Sequence, residues 1–223
     1  MLPLPHISQP IIDLVELYLS RPGTIQRIVY VAMREWSYFG GSNVTKGHRH
    51  TGHKETEKGF YNRIGTYWKE GTHTKLDGRD TEHPWSAAFI SYVMHTAGVT
   101  HEQFPGATAH SRYIHFALQN RVHNTPGAAF VGRRLTEYQP KVGDLVCTSR
   151  AGSNMTFDKA IKQKDYTSHC DIVVYVWPGE IGTIGGNVSD SVSMKILKIS
   201  AGGFLTDKTA PWFAILENRL PFK

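Results

Sequence analysis

The sequence predicts a single α+β domain with N-terminal helices packed on an antiparallel sheet. Hydrophobic spacing is helical up to about Asn124 and shifts towards a period of two beyond it. No internal repeat or low-complexity linker divides the 223 residues. At 40% hydrophobic and 20% charged, the chain has an ordinary globular composition and enough length to bury a core.

The elements follow in order. Ile11, Ile12, Leu14, Val15, Tyr18 and Leu19 form one apolar face, stopped by Arg21-Pro22-Gly23. Thr24 is placed to cap a second helix with the stripe Ile25, Ile28, Val29, Ala32 and Trp36, which Gly40-Gly41 ends. From Ser42 to Lys58 the chain turns polar and basic, with Lys46, His48, Arg49, His50, His53 and Lys54, and reads as a surface loop or binding edge. The three histidines match no closed zinc set, and their basic neighbours disfavour a cation, so no metal is expected. Tyr61, Ile64, Tyr67 and Trp68 suggest a short helix ending at Gly71, followed by a polar loop through Asp77 and Asp80. Pro84 to Ala97 is the clearest helix: proline suits its start, Trp85, Ala88, Phe89, Tyr92 and Val93 line its inner face, and Gly98 suits its end. Another helix, carrying Tyr113, Phe116 and Ala117, is expected after Thr108 as cap. Strands are then expected at 129–131, 144–147, 171–177, 181–184, 192–199 and 212–216, all short and rich in β-branched and aromatic residues.

Charge and apolar runs bound the function. The formal +6, with 12 histidines that add charge under acidic conditions, suits an anionic partner: nucleic acid, anionic lipid or a cell-wall polymer. Apolar runs such as Ile172 to Trp177 are far too short to span a bilayer, which takes about 20 residues. Met1-Leu2-Pro3-Leu4-Pro5-His6 has neither the basic nor the apolar region of a secretory signal, so the expectation is synthesis in the cytoplasm without one.

Three positions combine a reactive side chain with a special backbone setting. Ser86 opens a helix, where free N–H groups and the dipole favour an oxyanion. His169 starts a strand, and Asn187 follows Gly185-Gly186 at a strand end. Nucleophile on a helix, histidine on a strand and amide on the next strand is the order used by papain-like hydrolases.

The motifs around these residues resemble those of CHAP and NlpC-type peptidoglycan amidases. His83-Pro84-Trp85-Ser86-Ala87-Ala88-Phe89-Ile90-Ser91 is similar to their Trp-Cys-Ala-x-Phe-Val-Ser segment, with serine in place of the cysteine nucleophile. Gly143-Asp144-Leu145-Val146, His169-Cys170-Asp171-Ile172-Val173 and Gly185-Gly186-Asn187 resemble three further segments in the same order. With its serine, and with Glu35-Trp36 and Tyr67-Trp68 upstream, the pattern most resembles a related bacterial family of unknown function.

The resemblance implies a papain-like domain that cleaves an amide in peptidoglycan without a cofactor. Ser86 would be the nucleophile, His169 the general base and acid, and Asn187 the residue orienting the imidazole. The Ser86 N–H, with His83 or Tyr67, would serve the oxyanion. By their own spacing, one helical turn apart after the nucleophile helix, His110 and Tyr113 are candidates to line the groove, although packing explains Tyr113 equally well. Serine loses its proton only during attack, so the base must start neutral and become charged; Asn187 cannot compensate that charge, and Asp171 is the carboxylate placed to help. Cys147 and Cys170 fall on strands adjacent in such a fold and are expected as two buried thiols, a disulfide being the alternative in an oxidising compartment. Arg150 to Ser168 is expected as a lid or a long loop.

A cell-wall substrate and no visible signal peptide together suggest delivery to the periplasm of a target bacterium, as type VI secretion amidase effectors do. Such an antibacterial toxin would have an immunity protein and a secretion-machine component as partners. The competing class is a catalytically inactive cell-wall-binding module of the same fold. A nucleic-acid binder is disfavoured because no nucleic-acid motif is present.

Overall fold

A computed structural model describes residues 23–150 and 152–222. The expected helix over Ile11 to Leu19 lies outside them. The described chain is a mixed α+β domain: α1 (Thr24–Tyr38), β1 (Ser42–Asn43), α2 (Phe60–Thr72), α3 (Ser86–Thr96), α4 (His110–Val122), β2 (Phe130–Arg133), β3 (Leu145–Ser149), α5 (Phe157–Lys162), β4 (Ser168–Trp177), β5 (Glu180–Gly185), β6 (Ser193–Lys198) and β7 (Trp212–Asn218).

The seven strands form one sheet in the order β1-β6-β5-β4-β3-β7-β2. Its pairs are antiparallel except β1 with β6, a short parallel edge contributed by the basic 42–58 segment. Strand alternation divides the burial. Leu145, Cys147, Cys170, Ile172 and Val174 join Ile28, Val29, Trp85, Phe89 and Ile114 of the helices in the main core, whereas Val146, Val173, Ile181, Leu197 and Ile215 form a second cluster. The sheet is therefore apolar on both sides, and β4 runs through its middle as a nearly continuous buried strand.

Local chemistry sets the element ends. Helix α1 buries the expected stripe of Ile25, Ile28, Val29, Ala32 and Trp36. Thr24 does not cap it: Gly23 is the N-cap and no side chain bonds there. Thr108 likewise does not cap α4, whose N-cap is Ala109. Helix α3 starts at Ser86 after Trp85, and Gly98 follows its end with φ +84°, the left-handed turn that a glycine C′ residue adopts.

Two polar knots fasten the helices and the motif loop. Glu35, fully buried on α1, accepts hydrogen bonds from Arg63 Nε (2.7 Å), Tyr67 Oη (2.8 Å) and Arg34 Nε (2.9 Å), tying α1 to α2. Asp144 accepts from the N–H groups of Lys141 (2.7 Å) and Asn218 (2.8 Å) and so closes the Gly-Asp turn onto the end of β7. Burial, only partly offset by those hydrogen bonds, pushes its carboxyl up to about 7. The Gly-Asp motif is thus an architectural clamp away from the reactive cluster.

Candidate active site

Ser86 is the first residue of α3, 4% exposed, with Trp85 packed behind it. The Trp85 indole N–H donates to the buried carboxylate of Glu55 (2.5 Å), and burial raises the Glu55 pKa. The basic segment is thereby pinned to the start of α3. Gly186 makes the other close approach: a Cβ there would lie 2.5 Å from the Phe89 side chain and 2.7 Å from that of Trp85. Only a residue without a side chain lets the chain after β5 reach the helix start. Asn187, in the left-handed region at φ +53°, then lines the same pocket as Ser86.

The hydroxyl of Ser86 is hydrogen-bonded not to His169 but to His110 Nε2, at 2.7 Å. His110 opens α4 and is 4% exposed. Its Nδ1 receives the backbone N–H of Cys170 (3.1 Å) and the hydroxyl of Tyr113. A backbone N–H can only donate, so Nδ1 carries no proton and the neutral ring carries it on Nε2. His110 therefore donates to Ser86, leaving the serine's own proton free for another acceptor. Burial, reinforced by neighbouring His169, holds the His110 pKa well below the usual histidine value.

The His169 ring lies 4.9 Å from that of His110, centroid to centroid. Its Nε2 bonds Asp171 Oδ1 at 2.8 Å, and Lys195 Nζ reaches Asp171 Oδ2 at 2.7 Å. Burial favours protonation of Asp171, but Lys195 and His169 more than offset it, and the carboxyl stays ionised far below its usual range. Burial is also the main cause lowering the His169 pKa, with Lys195 adding to it and Asp171 opposing. His169 is then neutral with its proton on Nε2, and Nδ1 is a buried acceptor without a hydrogen-bond partner. A histidine held by a carboxylate at one nitrogen and open at the other has the polarity of a general base.

The imidazole is held by Asp171, not by the expected Asn187. Gly185 explains the exchange, because a Cβ at that position would lie 1.9 Å from Asp171 Oδ1 and 3.0 Å from His169 Nε2. The strand expected to lead to the orienting residue instead leaves a hole, which Asp171 fills from the histidine's own strand.

The other expectations separate clearly. Tyr67 is fully buried and its hydroxyl is committed to Glu35, so it cannot serve an oxyanion at Ser86. His83 is exposed and bonded to Asp80 (2.9 Å), outside the pocket lining. Tyr113 is buried behind His110 and supports that ring rather than lining the groove; His110 does line it. Cys147 and Cys170 are not free thiols: directly paired across β3 and β4, with Cα atoms 4.1 Å apart, they form a disulfide. Sequence reasoning missed the direct Ser86–His110 contact and the part played by Lys195. Alternation on β4 does put His169 and Asp171 on one side, but no local signal marks Lys195, which arrives from β6.

The pocket in front of Ser86 has a volume of about 470 Å³. Arg150, Tyr166, Thr167 and Ser168 line it together with Pro84, Thr108 and His110. The expected lid is a docked segment: its helix α5 buries Phe157 and Ala160, and Gln119 and Arg112 of α4 bond Ile161 O (3.0 Å) and Asp165 (2.8 Å). His48, His50 and His53 diverge. His50 bonds Gly40 O, His53 pairs with Glu57, and His48 lines a separate cleft of about 870 Å³ with Lys195, Lys198 and Trp212. Among the described residues no group of three or more metal-ligating side chains is gathered, and no helix is long and apolar enough to cross a membrane.

The profile of a family described as an uncharacterized protein conserved in bacteria (DUF2272) matches residues 55–219, and the chain belongs to that family. The match includes Ser86, His110, Arg150, His169, Asp171 and Asn187, and begins after Glu35-Trp36. No curated protein and no solved structure matches the chain significantly.

Proposed function

We propose that this family member is a papain-like hydrolase that cleaves an amide bond in bacterial peptidoglycan, with Ser86 as nucleophile, His169 as general base and Asp171 as the carboxylate that holds it. The observation that carries the reading is the buried polar chain Lys195–Asp171–His169, which ends in an unpartnered Nδ1 on a ring whose centroid lies 4.9 Å from that of His110, the histidine bonded to Ser86. A merely structural histidine has no need of a salt-bridged carboxylate at one nitrogen and an empty acceptor at the other.

Ser86 Oγ attacks the carbonyl carbon and its proton passes to His169 Nδ1; catalytic hydrogen bonds of this kind often tighten only with substrate bound. The resulting imidazolium is stabilised by Asp171, which answers the charge problem posed by a serine nucleophile. The oxyanion is assigned to the first-turn N–H groups of α3, the helix that Ser86 opens. The C–N bond then breaks and the amine leaves with the proton from His169. Water hydrolyses the acyl-serine ester with His169 first accepting and then returning a proton. His110 donates to Ser86 Oγ throughout, favouring the state in which that oxygen bears negative charge.

Delivery to the periplasm of a target bacterium remains part of the proposal, together with an immunity partner. The disulfide supports an oxidising destination, since such bonds persist outside the reducing cytoplasm. The test is release of soluble muropeptides from purified sacculi, read by mass spectrometry. Release by the wild type that Ser86→Ala abolishes is the expected result; binding to sacculi without release by either protein would favour the inactive binding module.

A further inference from the structure

We infer that the pocket selects an amide substrate carrying a free carboxylate beside the scissile bond, received by Arg150, Tyr166 and Ser168. The inference rests on the amide-hydrolase reading above and names the substrate class for that site. Arg150 is the pocket's one residue with a permanent charge, and no acidic side chain lines it. Among the described residues the Arg150 guanidinium forms no ion pair, whereas Arg112, Arg121 and Arg134 each close on a carboxylate.

The same pocket lining includes two further residues with a hydroxyl in want of a partner. Tyr166 Oη and Ser168 Oγ are buried and make no hydrogen bond. Both residues line the pocket, and both hydroxyls can donate to a ligand that brings them an acceptor. A guanidinium and two hydroxyl donors together fit a planar carboxylate, which accepts at both oxygens. The placement has an electrostatic counterpart: the charge of Arg150 reaches both imidazoles and helps keep them neutral before attack. A bound carboxylate neutralises that charge and so favours the imidazolium that forms on His169 during the reaction.

The test uses two synthetic peptides that differ only in whether the carboxylate nearest the scissile amide is free or amidated. The wild-type kcat/KM is expected to favour the acid by about tenfold or more. That preference falls to about one in Arg150→Gln, to an intermediate value in Arg150→Lys, and severalfold in Tyr166→Phe. A wild-type ratio near one, or a ratio that survives Arg150→Gln, overturns the inference. If neither peptide is cleaved, the hydrolase reading fails on its own, and the carboxylate site is decided by calorimetry with the same pair. Tighter binding of the acid to Ser86→Ala, lost in Ser86→Ala/Arg150→Gln, sustains the site; equal binding or no binding overturns it.

Discussion

His110 and His169 differ in which nitrogen is left to do chemistry, and that difference assigns their roles. Two donors at His110 Nδ1 force the proton onto Nε2, so His110 can only give to Ser86. Asp171 accepts a hydrogen bond from the His169 Nε2–H and leaves Nδ1 open. On sacculi, His169→Gln is expected to lower kcat by about 10³ to 10⁴, whereas His110→Gln, which retains a donor, costs no more than about 10². A larger loss in His110→Gln would exchange the roles. Lys195 provides a test by pH. Its charge is one of the causes that lower the His169 pKa, after burial, so removing it raises that pKa. The base acts when neutral, hence the acid limb of kcat/KM moves to higher pH in Lys195→Met; an unmoved limb, or one shifted to lower pH, would show that His169 does not govern it.

At the scale of elements, the central strands hold the reactive groups in register through features that differ in how openly the sequence displays them. Alternation along β4 placed His169 beside Asp171, and the helix signals placed Ser86 at the start of α3. The exchange of Asn187 for Asp171 was hidden because it depends on empty space at Gly185, and a space has no sequence signature apart from the glycine that makes it. Gly185→Ala is therefore expected to disturb the Asp171–His169 pair and lower kcat while far-UV circular dichroism stays native. The disulfide was open from sequence, since two cysteines on adjacent strands do not reveal whether they share register; Cys147 and Cys170 do. It encloses a loop of 23 residues in separation, so Cys147→Ala/Cys170→Ala is expected to lose about 3 kcal/mol in urea unfolding. The bond from Cys170 to His110 comes from the backbone N–H, so the folded variant keeps the His110 tautomer.

For the whole molecule, the division into early helices and late strands was legible because the hydrophobic period changes once, near Asn124. The long-range pairings were not: β1 joins β6 from the far end of the chain, and Lys195 reaches Asp171 across the sheet, contacts that depend on closure rather than local pattern. The formal +6 also resolves into parts. Most arginines of the described surface are paired with carboxylates, while Arg150 faces the pocket unpaired. Electrostatic help to an anionic cell wall should accordingly weaken as salt rises, with binding of Ser86→Ala to sacculi falling between low salt and about 0.5 M sodium chloride; salt-independent binding would remove charge from the account. The proposed mechanism requires Ser86 to be a nucleophile activated by His169. Its most direct measurement is covalent labelling by a fluorophosphonate, with the modified peptide identified by mass spectrometry in wild type and His169→Gln. Modification of Ser86 in the wild type, slowed at least a hundredfold in His169→Gln, is the predicted result; an unlabelled Ser86, or equal labelling of both proteins, would contradict it.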